Sequence, residues 1–114
     1  MIIALTAKEN NLFSQIDPRF GRCRHVVFYN TDSGNYEVVS NPNIDSETGA
    51  GIQTAQLVID RKARVLITGF CGPNADKALV NAGIRIIVNT SGSVQDAVGS
   101  FLIREGIQPG VQRP

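Results

Sequence analysis

The chain has no tryptophan, one methionine, one histidine and two cysteines in 114 residues, and aromatics make up only 6% of it. A lone histidine with no acid partner nearby gives no Ser–His–Asp or Cys–His triad. The two cysteines, Cys23 and Cys71, fit no CxxC zinc or disulfide framework, and both are expected to stay reduced in a cytoplasmic chain. No apolar run approaches the roughly 20 residues that span a bilayer. The start runs directly into Ile2-Ile3-Ala4-Leu5, without a basic region or a small-residue cleavage site, so no signal peptide is expected. Excess charge is missing too. Eleven basic against ten acidic residues leave +1, so no global field draws in nucleic acid or a membrane surface. Walker A, nucleophile-elbow and HExxH patterns are absent. These absences, with an apolar fraction of 42%, leave one ordinary globular domain, long enough for a single core and too short for two.

The residues present read as α/β. Ile2 to Leu5 is a short apolar run suited to a buried strand. His25–Asn30 and Tyr36–Ser40 are rich in β-branched and aromatic residues and flank the turn-rich stretch 31–35, a hairpin pattern. Asn41-Pro42-Asn43 ends the second of these strands, and residues 44–48 read as loop. The rhythm then alternates. Residues 51–61 are helical, with Ile52, Ala55 and Ile59 on one face, and 65–68 is a buried strand. Pro73 opens a helix carrying Ala75, Ala78, Leu79 and Ala82 at helical spacing, with Gly83 placed to cap it. Residues 84–88 form the next strand. Ser93 is an N-cap ahead of Val94, Ala97, Val98 and Phe101, with Asp96 in the first turn. From Glu105 onward Gly106, Pro109, Gly110 and Pro114 predict a frayed tail, so the domain is drawn as 1–104. The pattern predicts a five-stranded mixed sheet with helices on its faces, and residues 65–68 and 84–88 as parallel neighbours.

One segment carries most of the chemistry. Ile16-Asp17-Pro18-Arg19-Phe20-Gly21-Arg22-Cys23 is a turn, punctuated by Pro18 and Gly21, in which Arg19, Arg22 and Arg24 crowd around a thiol, with His25 following. Concentrated cationic charge beside a soft ligand atom suits a metal–sulfur anion. A surface turn with merely solvated arginines accounts for the same residue types. Cys23 is either a thiolate whose pKa the arginines lower or a small buried hydrophobe. His25 is either a ligand or a structural donor. Cys71 is expected to pack. Three glycine-bearing junctions, Gly49-Ala50-Gly51, Gly69 to Asn74 and Thr90 to Ser93, should lie where helix N-termini point beyond the carboxyl ends of the strands. Such an edge makes an anion pocket, or else these glycines serve only turn geometry.

Asp17-Pro18-Arg19-Phe20-Gly21-Arg22-Cys23 resembles the D-x-R/H-F-G-x-C/A signature of the dinitrogenase iron–molybdenum cofactor biosynthesis family, which includes NifX-like carriers and the carboxy-terminal domain of NifB-like proteins. Gly49-Ala50-Gly51, the stretch Gly69-Phe70-Cys71-Gly72-Pro73-Asn74-Ala75, and Thr90-Ser91-Gly92-Ser93-Val94 fit the same family in order, and the similarity runs from about Met1 to Phe101. The resemblance implies a ribonuclease H-like three-layer fold and a cytoplasmic, non-catalytic protein. Its cargo would be iron–molybdenum cofactor, a precursor or a related metal–sulfur cluster, bound transiently. It places cofactor contacts on Arg19, Phe20, Gly21, Arg22, Arg24, Gly49, Ala50, Gly51, Gly72, Asn74, Gly92 and Ser93, with Cys23 or His25 supplying a labile metal bond. The implied partner is a cluster-assembly or acceptor protein, with neither nucleic acid nor membrane, and the chain is a monomer or weak homodimer.

A nuclease of such a fold needs several carboxylates on strand ends to hold two metal ions. The first strand carries none, and Asp17, Asp32 and Asp76 fall in loops or at a helix start. Binding is therefore the more economical function. Two other readings stay open: a protein-interaction or regulatory module that keeps the fold without the cluster, and a binder of a small phosphate- or carboxylate-bearing metabolite.

Overall fold

A computed structural model describes residues 1–44 and 49–108. The elements in chain order are β1 (Ile2–Ala7), β2 (His25–Asn30), β3 (Tyr36–Ser40), α1 (Ala50–Asp60), β4 (Ala63–Ile67), α2 (Pro73–Asn81), β5 (Arg85–Ile87) and α3 (Val94–Glu105). They form one sheet of order β3-β2-β1-β4-β5. β2 is antiparallel to both β1 and β3, whereas β4 is parallel to both β1 and β5. The change of rhythm in the sequence is thus a change of pairing at β1. A hairpin can join only antiparallel strands, and a parallel neighbour needs a crossover helix. The parallel pairing expected of 65–68 with 84–88 is made by Val65, Leu66 and Ile67 of β4 against Arg85, Ile86 and Ile87 of β5, with Thr68, Ile84 and Val88 outside the strands. Of the stretch read as loop, residues 45–48 lie outside the described residues.

Alternation along the strands sorts the core into two layers. Ile3, Leu5, Val27, Tyr29, Val65 and Ile67 face α3, where Val94, Val98 and Phe101 meet them. Ala4, Val26, Phe28 and Leu66 face the opposite way, against Ala55, Val58, Ala75 and Leu79 of α1 and α2. The α1 face differs from the one expected. Ala50, Thr54, Ala55 and Val58 are buried, and Ile52 is left 50% exposed. The stripe is rotated because Thr54 turns inward, its hydroxyl donating to the Gly21 carbonyl at 3.3 Å.

The helix ends follow the residues that mark them. Pro73 begins α2, and Gly83 takes φ +81° just past its end. The Ser93 hydroxyl accepts from the Asp96 N–H at 3.0 Å, with the Asp96 carboxylate in the first turn of α3. Fraying does not begin at Glu105, because α3 runs through that residue. Gly106 ends the helix at φ +68°, the Ile107 N–H bonds to the Leu102 carbonyl at 2.9 Å, and the Ile107 side chain packs on the core. Residues 109–114 lie outside the described residues.

Candidate functional site

The arginine-rich turn is built onto the end of β1. The Asp17 N–H bonds to the Thr6 carbonyl at 3.0 Å, and the Thr6 hydroxyl donates to the Asp17 carbonyl at 2.7 Å. Asp17 Oδ1 accepts from the Arg19 N–H at 3.0 Å, which closes the turn over Pro18. Two further bonds zip it to the loop after β4: Phe70 N–H to the Pro18 carbonyl at 2.7 Å, and Phe20 N–H to the Phe70 carbonyl at 3.1 Å. Two glycines permit this docking by having no side chain. A Cβ on Gly69 would lie 2.6 Å from Pro18 Cα, and one on Gly21 would lie 2.8 Å from the Gly51 nitrogen. Asn41, buried, reaches in from the end of β3 and donates to the Cys23 carbonyl at 2.9 Å and the Gly21 carbonyl at 3.4 Å. The turn is held on three sides before any ligand arrives.

A cleft of about 240 Å³ lies between this turn and the starts of α1 and α2, lined by Phe20, Gly21, Gly49, Gly51, Ile52, Gly72, Pro73, Asn74 and Ala75. Both helices begin at a glycine, Gly49 and Gly72, and neither has a side-chain cap. In α1 the first intrahelical bond runs from Gln53 to Gly49, and in α2 from Asp76 to Gly72. The N–H groups ahead of those bonds, on Gly51, Ile52, Asn74 and Ala75, have no carbonyl one turn back. They sit at the positive ends of two helix dipoles facing one small space. A Cβ on Gly72 would meet nothing within 4 Å, so the cleft is open there.

On the other side of the turn, Lys8, Arg19, Arg22 and Arg24 surround a cavity of about 380 Å³ with Asp17, Pro18 and Ile44. Arg19 is 70% exposed, although its Nε lies 3.6 Å from the buried Asp17 carboxylate. Arg22 donates from Nη1 to the Ile44 carbonyl at 3.0 Å. Cleft and basic cavity share this turn, Phe20 and Gly21 lining the one and Pro18, Arg19 and Arg22 the other.

The structure brings together Phe20, Gly21, Gly49, Ala50, Gly51, Gly72 and Asn74, and sets the three arginines beside them. Gly92 and Ser93 are not part of this group. The Gly92 carbonyl accepts from Ile16, and Ser93 spends its hydroxyl capping α3, which packs on the opposite face of the sheet. His25 is also on that opposite face, since it shares strand parity with Val27 and Tyr29. Its buried Nδ1 has no hydrogen-bond partner among the described residues.

Of the two readings open for Cys23, the surroundings of its side chain are those of a small buried hydrophobe. Its side chain is fully buried, and burial pushes the thiol up to about 12, with the Asp17 carboxylate adding to the rise. The Asn41 amide, 3.8 Å from the sulfur, and the Arg19 charge act the other way and lose. The arginines do not enrich a thiolate here, because the sulfur is in the core while the guanidinium groups are in water. Cys71 packs in the same layer, its thiol raised to about 11 by burial and then by Asp76. Among the described residues no three of His, Cys, Asp and Glu come together as a metal set. Sequence reasoning missed Lys8, Asn41, Thr54 and the Thr6–Thr68 hydroxyl pair at 2.8 Å under the turn. No motif signals these; Asn41 read only as the end of a strand.

Two solved structures and one curated protein are similar to this chain. The apo orange protein of Desulfovibrio gigas is 37% identical, with 91% of this chain and 88% of that one covered at a TM-score of 0.87. The solution structure of a candidate NifB protein from Thermotoga is 30% identical over 99% of this chain and 97% of that one, at 0.78. An uncharacterised protein of Methanocaldococcus jannaschii is 27% identical over 105 residues, 90% of this chain and 86% of its own length. The family model described as dinitrogenase iron–molybdenum cofactor matches residues 1–104. With that match spanning the sheet, α1, α2, α3 up to its last residue and the turn that lines both cleft and basic cavity, the chain belongs to the dinitrogenase iron–molybdenum cofactor family.

Proposed function

We propose that the chain is a small non-catalytic carrier that holds an anionic metal–sulfur cargo in the cleft and releases it to an assembly or acceptor protein. The cargo is iron–molybdenum cofactor, a precursor or a related molybdenum–sulfur cluster. One observation carries this reading: α1 and α2 both open on the cleft from glycines without side-chain caps, beside four basic residues, whereas α3, which opens elsewhere, is capped by Ser93. Donors left uncapped at two convergent helix ends suit an anion. Glycine lining lets a bulky inorganic body approach the backbone. With no metal-ligand set among the described residues, the cargo is held by charge and N–H donors, which lets it leave again. The strand order and the antiparallel β2–β3 arm support the ribonuclease H-like label. A reducing cytoplasm suits two unpaired thiols.

Anaerobic titration with tetrathiomolybdate, followed by its visible absorbance, tests the reading. Each charge-assisted contact is worth roughly 1.5–3 kcal/mol. Replacing Arg19 and Arg22 together by alanine therefore weakens binding at least about tenfold, while the far-ultraviolet circular dichroism stays that of the parent. Equal binding by parent and double variant would refute the basic cavity's role. Equal competition by inorganic phosphate would favour the small-metabolite reading instead.

A further inference from the structure

β3 is an outer strand of the sheet, and among the described residues no strand pairs with its free edge. The hydrogen bonds that flank it set the phase of the ladder. Asn30 N–H bonds to the Asn35 carbonyl at 2.8 Å, and Asn41 N–H to the Arg24 carbonyl at 3.0 Å. With Phe28 opposite Glu37 and Val26 opposite Val39, the residues that bond to β2 are Asn35, Glu37, Val39 and Asn41. The bond from Thr31 to the Met1 carbonyl agrees, because it assigns the odd-numbered residues of β2 to β1. The N–H and C=O groups of Tyr36, Val38 and Ser40 consequently point outward. The strand has no register shift, proline or lysine to guard this edge.

We propose that this edge pairs with β3 of a second copy of the chain, antiparallel, about a two-fold axis at Val38. In that register Val38 faces Val38 of the second copy, and Tyr36 faces Ser40 in both directions. Three pairs of outward-pointing residues then exchange two bonds each, six in all. Centring the axis on Glu37 or Val39 leaves only two such pairs, and the Glu37 centre also sets two carboxylates opposite each other. The Val38 register places Glu37 against Val39 instead, and Glu37 is already ion-paired with Arg61 of its own chain. The only charge on the strand thus selects the register that uses every outward group. A contact made by one strand pair is small, so the dimer is weak and forms only at high concentration.

Sedimentation equilibrium from about 10 µM to about 1 mM, a range that brackets weak contacts, should show the apparent mass rising toward twice that of the monomer. Amide hydrogen exchange over the same range should slow at Tyr36, Val38 and Ser40 only, since Glu37 and Val39 are protected by β2 at every concentration. Val38→Pro removes an outward N–H without touching a bond to β2 and should stay monomeric at about 1 mM, proline being tolerated on the solvent side of an edge strand. If that variant does not fold, the exchange pattern of the parent decides. Arg19→Ala with Arg22→Ala should dimerise as the parent does, which separates this proposal from the cargo reading. A parent that remains monomeric throughout, or a dimer whose slowed amides lie elsewhere, overturns it.

Discussion

Adding one methyl group at Gly21 tests whether the arginine turn is seated on α1. The new Cβ of Gly21→Ala would lie 2.8 Å from the Gly51 nitrogen, 2.9 Å from its Cα and 3.2 Å from the Ala50 carbonyl carbon. All three are backbone atoms, so no flexible side chain can move aside. Gly21 is not among the residues with positive φ, so the cost is steric. Overpacking of this kind costs about 1–3 kcal/mol. At about 2.1 cal/mol/K per residue, 114 residues give an unfolding entropy of about 0.24 kcal/mol/K, so each kcal/mol lowers the melting midpoint by about 4 °C. The midpoint should fall by about 4–12 °C, and tetrathiomolybdate binding should weaken as the turn lifts away from Thr54 and Asn41. Gly72→Ala is the matching comparison. Its Cβ meets nothing within 4 Å and its φ is −66°. The small gain from a stiffer unfolded chain and the small loss of an N-cap glycine nearly cancel, leaving the midpoint within about 2 °C. The methyl group still stands in the cleft, so only binding should fall. A Gly21→Ala midpoint within about 1 °C of the parent would refute the packing argument, since no overpacking of ordinary size is that small.

Gly69→Ala should destabilise at least as much by thermal denaturation, because its Cβ would lie 2.6 Å from Pro18 Cα and 2.9 Å from the Pro18 carbonyl oxygen. The Cys23 thiol, ordinarily near 9.0, is held up to about 12. Between those values the folded chain keeps a proton that the unfolded chain has lost. Stability should therefore fall as pH rises through that window, Cys23 contributing at most about 1.4 kcal/mol per unit and Cys71, raised to about 11, adding a fall of the same sign, with no such slope below it. Urea denaturation at pH values on either side of 9.0 measures the fall, which should be shallower in Cys23→Ala. Truncation after Glu105 should cost about 1–2 kcal/mol by the same denaturation assay, because it removes both the Gly106 cap and the packed Ile107. Incubation with an RNA–DNA hybrid and magnesium or manganese should leave the hybrid intact; cleavage that vanishes on replacing one carboxylate would overturn the carrier reading.

Element types and most boundaries were legible because they rest on short-range physics. Alternation, helical spacing and end markers such as Pro73, Gly83 and Ser93 act within a few residues, and the structure places each where its local chemistry requires. The exceptions arise where a distant partner competes. Ile52 is exposed because Thr54 turns inward to a carbonyl 33 positions away. Gly106 and Ile107 are held in place because Ile107 finds apolar contacts that composition alone does not reveal.

The site divides along the same line. That Arg19, Arg22 and Arg24 share one turn and that glycines open α1 and α2 follows from neighbours along the chain and from turn chemistry. Which junctions converge depends on how the helices pack across the sheet. α1 and α2 cover one face of the sheet and α3 the other, so Gly49 and Gly72 meet at a single cleft while Gly92 and Ser93 are carried away from it. Strand parity sends His25 to the α3 face, and the zip between Pro18 and Phe70 draws the loop down so that Cys23 is buried beneath its own arginines. Thiol and guanidinium groups adjacent in sequence thus end on opposite sides of the core surface, because desolvating a neutral thiol costs little and desolvating a charged guanidinium costs far more.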